Sequence, residues 1–187
     1  MHGRQNLSAP VAIKLGVFGR HVDLIEERID IAIHIGQLSV SSMVARRIGD
    51  MRMITLASAS YGTPQMLKEL HAHQRIDNVH QGHIVGYDST VDSKQLTVES
   101  ASSFRTNDAE HVRGAARSRL GIAHHASWLL TAVLASGEVA RILDKHTPPL
   151  LPINAIIAGG HRIPSRVRHF PEFLADICAG EPELSVG

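Results

Sequence analysis

Residues 29–36, IDIAIHIG, place Ile29, Ile31, Ile33 and Ile35 at strict period two, with Asp30, Ala32, His34 and Gly36 between them. Successive side chains of an extended chain point to opposite faces, so the alternation predicts a β-strand with one isoleucine face that another layer must cover. Just upstream, HVDLIEER sets Val22 three residues before Ile25, with Glu26 and Glu27 alongside, the pattern of a short amphipathic helix. A helix feeding a β-branched strand predicts α/β layering.

The same reading runs down the chain. MVARRI and MRMITLAS read as two extended stretches joined through Gly49-Asp50, a plausible hairpin turn. Thr63-Pro64 opens a helix through Leu67 and Leu70 toward His71, with proline in the first turn where its missing N–H costs nothing. HIVGY (83–87), KQLTV (94–98) and SSFRT (102–106) read as short strands. Asn107, with Glu110 three residues on, resembles a capping box for the helix NDAEHVRGAARSR. Leu120 to Ala123 reads as a buried strand, Ser127 as the cap of WLLTAVLAS, Gly137 as its terminator and Val139 to Leu143 as a further strand. Pro148, Pro149 and Pro152 are the strongest punctuation, followed by strand-like INAIIA (153–158) and a final helix from about Ser165 to Cys178. That helix carries Val167, Phe170, Phe173, Leu174 and Ile177 on its expected inner face, with Pro171 as an interior blemish. Strands alternating with helices predict mainly parallel pairing. Breaks near 57–61 and 148–152 predict a chain that leaves one lobe and later re-enters it, with a ligand cleft between the two.

Composition narrows the function classes. Among 187 residues, 19 Lys+Arg stand against 18 Asp+Glu, a net charge of +1 that excludes a strongly basic nucleic-acid binder. One cysteine, Cys178, excludes an internal disulfide and fits a reducing compartment. The N-terminal apolar residues are interrupted by Arg4, Asn6 and Lys14, and the stretch from Trp128 to Ala135 falls far short of a membrane span, so a cytoplasmic protein with no membrane partner is expected. The 13 histidines include His71-x-His73 and adjacent His124-His125, but no HExxH or cysteine pattern accompanies them, so no metal site is expected. There is no G-x-S-x-G elbow, P-loop or dinucleotide fingerprint, so neither catalysis nor a cofactor is expected. Arg105, Arg113, Arg117 and Arg119 crowd one region among acidic residues, with only 4% aromatic content, too little for a base-stacking groove. They read as solvated helix faces or dimer salt links.

In this order LSAPVA (7–12), VDLIEERIDIAIHIG (22–36), SSMVARRIGDMR (41–52) with LASASY (56–61), RTNDAEHVRGAARSRLGIA (105–123) and RVRHFPEFLADI (166–177) closely resemble the effector-binding domain of LysR-type transcriptional regulators. The resemblance spans most of the chain, and its specificity lies in the ordered set. It implies an α/β, two-lobed fold similar to type 2 periplasmic binding proteins. Residues 1–58 and 150–178 would form lobe I, residues 59–149 lobe II, and residues 179–187 a C-terminal tail. It implies a non-enzymatic sensor that holds a small-molecule effector, such as an organic acid or an aromatic compound, between the lobes. It also implies a homodimer or tetramer, with DNA contacted only through a helix-turn-helix module that this chain does not show. In the family a helical crossover separates the strand near SAPVA from the one resembling KLGVF, whereas here Ile13 and Lys14 adjoin, so a shortened first lobe is expected. A similar shortening occurs at SASYGTP.

The resemblance and the strand ends together nominate ligand-binding residues. Ser8 and Ala9 lie in the SAP element at a strand end, where a serine also satisfies local backbone as an ordinary turn residue. Ile35, Gly36 and Gln37 form the turn beyond the carboxyl end of the alternating strand, the usual place for ligands in open α/β sheets, and equally a plain tight turn. Asn107 and Asp108 open a helix whose positive end would face the cleft, although capping alone would explain them. Two other classes remain: a transport-type solute-binding protein of the same architecture, and a His-dependent hydrolase or metalloprotein.

Overall fold

The computed structural model describes residues 13–16, 23–38, 43–62, 64, 66–80, 83–84, 86–91, 94–98, 102–157 and 164–185. The alternating isoleucines form β1 (Ile31–Ile35), followed by β2 (Val44–Met51) and β3 (Met53–Ser58). A 3-10 helix, Leu67–Ala72, leads to β4 (Arg75–His80), β5 (His83–Ile84), β6 (Tyr87–Val91), β7 (Lys94–Val98) and β8 (Ser102–Thr106). Then come α1 (Ala109–Arg117), β9 (Ile122–Ala126), α2 (Thr131–Ala135), β10 (Val139–Ile142), β11 (Leu151–Ile157) and α3 (Ser165–Gly180).

β11 lies between β1 and β2 in a three-stranded sheet, antiparallel to both. Ile31, Ile33 and Ile35 stand opposite Ile157, Ala155 and Ile153 on one face. α3 covers much of that face: Leu174 and Ala175 pack on a cluster of Ile48, Met51, Ile153 and Ala155. The inward stripe of α3 includes Val167, Pro171, Leu174 and Cys178, spaced by three or four, while Phe173 and Ile177 point outward at 54% and 47% exposure. Val167 and Leu174 of the expected inner face therefore turn inward, whereas Phe173 and Ile177 give way to Pro171 and Cys178.

The second sheet has the order β10-β3-β9-β4-β5, with β8 also on β4. One face is sealed by Val112, Ala115 and Ala116 of α1, with Leu130, Val133 and Val139, over Ile54, Leu56, Ile76 and Ala123. The opposite face buries Ala57, Leu70, Tyr87, Ile122 and Ile142 beneath the β6-β7 hairpin and the 3-10 helix.

Several local expectations change. Gly49-Asp50 makes no hairpin. Both residues lie inside β2, and the chain changes sheet at Arg52, so that β3 pairs with β9 and β10. The chain returns after β10 through Asp144–His146 and the Pro148-Pro149 segment, where punctuation was expected. Pairing is mainly antiparallel; among the described residues only β4 with β8 and β4 with β9 run parallel, because strands that cross between sheets re-enter in the opposite sense. The segment before β1 is a turn, Leu24–Arg28, in place of a helix. Asp23 Oδ1 accepts the N–H groups of Ile25 and Glu26 at 2.9 and 3.0 Å, and Arg28 at φ +54° reverses the chain after one turn. Ser127 does not cap: its hydroxyl is buried without a hydrogen-bond partner among the described residues.

β2 contains a bulge. Ile153 faces Gly49 but Asn154 faces Arg47, so Ile48 is the extra residue. Bulges re-aim side chains, and this one sends Arg46 to the α3 side, where its Nη1 meets Glu172 at 3.0 Å, and Arg47 to the opposite face. The segment after α3 closes over the bulge, with the Asp50 N–H donating to Leu184 O at 3.0 Å. A Cβ on Gly49 would stand 2.6 Å from Leu184 O and 3.1 Å from the Cβ of Cys178. Gly49→Ala should therefore destabilise by about 1–3 kcal/mol through overpacking. Gly114→Ala, in α1 with nothing within 4 Å of the added carbon, should stabilise by roughly 0.5–1 kcal/mol by removing helix-interior glycine. Urea unfolding of the two variants measures the contrast.

Candidate functional site

Two of the expected residues meet at the carboxyl end of β1. Gly36, at φ +108°, uses the left-handed conformation that glycine adopts without steric cost. β11 holds its peptide from both sides: the Gly36 N–H donates to Pro152 O at 2.9 Å, and Asn154 Nδ2 donates to Gly36 O at 3.3 Å. That fixes the departure of Gln37. A depression of about 360 Å³ opens beside it, lined by Gln37, Leu38, Arg47, Leu150, Pro152 and Asn154. Ile35 is 42% exposed on the other face of β1, away from the Asn154 row, and does not line the depression.

Arg47 turns its Nε and Nη2 toward Asp50 Oδ1, with Nε at 3.1 Å. Asp50 is buried, whereas the Arg47 side chain is half exposed. Leu150 and Pro152 belong to the segment that re-enters the first sheet, so the depression sits where the chain crosses between sheets. Sequence reading missed Arg47 and Asn154. Asn154 was legible as the polar residue inside an apolar strand, but Arg47 depends on a bulge that alternation cannot count through.

Asn107 and Asp108 stand at the carboxyl end of β8 and are exposed; they do not line the depression. The helix cap is Asp108, one residue later than expected. Its Oδ1 accepts the Glu110 and His111 N–H groups at 2.7 and 3.3 Å. Thr106 Oγ1 fixes this register by accepting the Asp108 N–H at 3.1 Å. Glu110 is therefore too close to the cap for a capping box, and it pairs instead with Arg113. Ser8 and Ala9 lie outside the described residues.

The crowded arginines resolve mostly into intramolecular contacts: Arg117 Nε to Glu138 at 2.5 Å, and Arg105 Nε at 3.8 Å from Asp77 Oδ2. Asp77 is wholly buried, with Arg75 Nη2 2.9 Å from its Oδ1, and Arg75 lies over the Tyr87 ring at 5.1 Å. The Tyr87 hydroxyl donates to Ile122 O at 2.6 Å, and burial pushes its pKa well above the usual phenol value. His124 lies against Tyr87 and meets Thr55 Oγ1 through Nδ1 at 3.0 Å.

His125 is on the opposite face of β9, packed toward α1, so the adjacent pair cannot converge on one ion. Among the described residues no group of three or more His, Cys, Asp or Glu could hold a metal. No described helix is long and apolar enough to cross a membrane. Burial, then the Arg113 charge, holds the His125 pKa below the ordinary imidazole value. Its Nδ1 accepts the Ala126 N–H at 2.9 Å, a bond that an Nδ1 proton would abolish.

The profile of the family described as LysR substrate binding domain matches residues 5–179. The regulator CrgA of Neisseria meningitidis serogroup C is 29% identical over 161 residues, 83% of this chain and 54% of its own length. An HTH-type transcriptional regulator of Xanthomonas campestris is 30% identical over 163 residues, 82% of this chain and 47% of its own. The chain thus spans about half the length of these curated relatives. Among solved structures, the CrgA regulatory domain superimposes with a TM-score of 0.68 at 28% identity, covering 82% of this chain and 77% of that one. The full-length Vibrio cholerae virulence activator AphB gives 0.75 at 23% identity, covering 89% and 58%.

Two outcomes follow from this geometry. Asp108→Ala should cost about 1 kcal/mol by removing the cap, while Asn107→Ala should stay within about 0.5 kcal/mol; thermal unfolding compares them. Because folding weakens proton binding at His125, the unfolded chain takes up the proton first. Stability should be full above about pH 6.5, the unfolded imidazole pKa, and fall progressively below it. His125→Gln should flatten that acid-side loss in melting curves taken from pH 7.5 to 5.

Proposed function

The chain belongs to the LysR substrate-binding domain family, and from that premise we propose that it is the sensing part of a longer transcription regulator. It binds a small molecule, without transforming it, at the crossing between its two sheets. The observation that carries this reading is the depression beside Gly36 and Gln37, bounded by the re-entering residues Leu150 and Pro152. A ligand there touches both the end of β1 and the connection between sheets, so it has unequal contacts in two lobe orientations, the requirement for shifting their equilibrium. The lobes divide at the crossings: β1, β2, β11 and α3 in the first, and residues 53–142 in the second. In this reading Ser8 and Ala9 from the first lobe, and Asn107 and Asp108 from the second, reach the ligand from outside the depression.

The relatives are transcription regulators. By analogy the whole protein is cytoplasmic, assembles as a dimer or tetramer and meets DNA through a separate helix-turn-helix module. A panel of small organic acids and aromatic compounds, screened by thermal unfolding of the full chain, tests the proposal. A true effector at 100 times its Kd adds about 2.7 kcal/mol, a rise of at least about 5 °C for a domain of this size. A panel with no stabilising compound, or turnover of any bound compound, overturns it.

A further inference from the structure

Three side chains form a row across the first sheet on the face opposite α3: His34 of β1 stands opposite Asn154 of β11, and Asn154 stands opposite Arg47 of β2. Directly opposed residues bring their Cβ atoms to about 5 Å, so an imidazole, a carboxamide and a guanidinium face the same space. Arg47 and Asn154 line the depression itself. Arg47 is there only because Ile48 is bulged out of register; in a regular ladder it would point toward α3 and Arg46 toward this face.

Among the described residues the guanidinium is spent on one side only. Nε and Nη2 both address Asp50 Oδ1, leaving the Nη1 side of the planar fork toward the half-exposed surface. Asp50 is 2% exposed, and its Oδ2 accepts no hydrogen bond among the described residues. Removing its cation would strand a buried charge. An incoming anion therefore does not displace Asp50. It adds to the second edge of an arginine that Asp50 holds in place, the planar, bidentate recognition for which arginine suits carboxylates. Gln37 and Asn154 supply amide groups beside that edge, while Leu38, Leu150 and Pro152 supply an apolar wall.

We propose that the depression binds a carboxylate attached to a hydrocarbon or aromatic body, with the carboxylate on the free edge of Arg47 beside Asn154, and the body against Leu38, Leu150 and Pro152. Asp50 acts as the positioning residue for Arg47. This inference rests on the sensing role proposed above and names the ligand class and the anchoring residue of that site.

Benzoate, with benzamide as its neutral counterpart, is the probe, and titration calorimetry on the full chain is the measurement. Benzoate should bind and benzamide should bind at least tenfold more weakly. Arg47→Gln alone leaves Asp50 unpaired, so the deciding variant is Arg47→Gln with Asp50→Asn, which removes both charges and keeps the shape of the buried Asp50 side chain. It should melt close to the parent chain and lose benzoate affinity at least tenfold, with Asp50→Asn alone intermediate and Gly114→Ala, on α1 away from the depression, unchanged. If the double variant binds benzoate as the parent does, or benzamide binds as well as benzoate, the carboxylate anchor is refuted while the sensing role stands. If neither probe binds but another compound of the panel stabilises the chain, the ligand class is wrong and the role again stands. If nothing in the panel binds, both fail together.

Discussion

β11 takes its place between β1 and β2 although nearly the whole second sheet is made between them in sequence: Ile31 pairs with Ile157, and Met51 with Leu151. Without that late insertion β1 and β2 would share no ladder in the described residues, since each pairs only with β11. The isoleucine stripe of β1 would lose its neighbours Ile153, Ala155 and Ile157, and α3 would lose the surface on which Leu174 packs. The same insertion forces the chain across between sheets twice, and the depression lies where the second crossing ends. One long-range pairing therefore supplies the first core and the place for a ligand. Contacts of such sequence separation carry the largest loop-closure cost in the fold.

What could be read in advance was what local periodicity determines. β7 and β8 occupy the segments KQLTV and SSFRT, and β1 follows from the alternation of IDIAIHIG. What escaped were features set by partners far away in sequence. Gly49-Asp50 has the composition of a turn, but Gly49 is glycine because Leu184 and Cys178 approach its α-carbon, and it sits mid-strand. Parallel pairing is the usual consequence of alternating strands and helices, yet strand sense here is decided by the crossings. The site divided the same way. Gly36 and Gln37 follow from the strand-end rule, whereas Arg47 needs the bulge, and the choice between Asn107 and Asp108 as cap rests on Thr106, whose hydroxyl takes the Asp108 N–H.

The second sheet carries polar groups through its interior. Asp77 is wholly buried between two arginines, Arg75 at 2.9 Å and the more exposed Arg105 at 3.8 Å, and neither carboxylate oxygen accepts a well-directed hydrogen bond among the described residues. Coulomb attraction in a low-dielectric interior must do the compensating. Tyr87 joins this group to the sheet: its ring lies against Arg75 and His124, and its hydroxyl is tied to Ile122. An apolar replacement of the whole group could be as stable, so its contribution is better understood as orientation. It ties the β6-β7 hairpin to β4 and β9, because Tyr87 of β6 meets Arg75 of β4 and both His124 and the Ile122 carbonyl of β9.

Two adjacent arginines in β2 show how one irregularity serves two purposes. In a regular strand Arg46 and Arg47 would also face opposite ways, but with the assignments exchanged, Arg47 toward α3 and Arg46 toward the open face. The extra residue Ile48 reverses them, burying its own side chain at 3% exposure in the cluster beneath α3. Arg46 then reaches Glu172, and Arg47 stands beside Asn154 with Asp50 behind it. The Leu184 carbonyl holds the bulge by accepting the Asp50 N–H, so the chain beyond α3 bears on the position of Arg47 without touching the depression. Changes at Leu184 or Cys178 would reach the site through Gly49 and Asp50, by moving the backbone that aims the guanidinium.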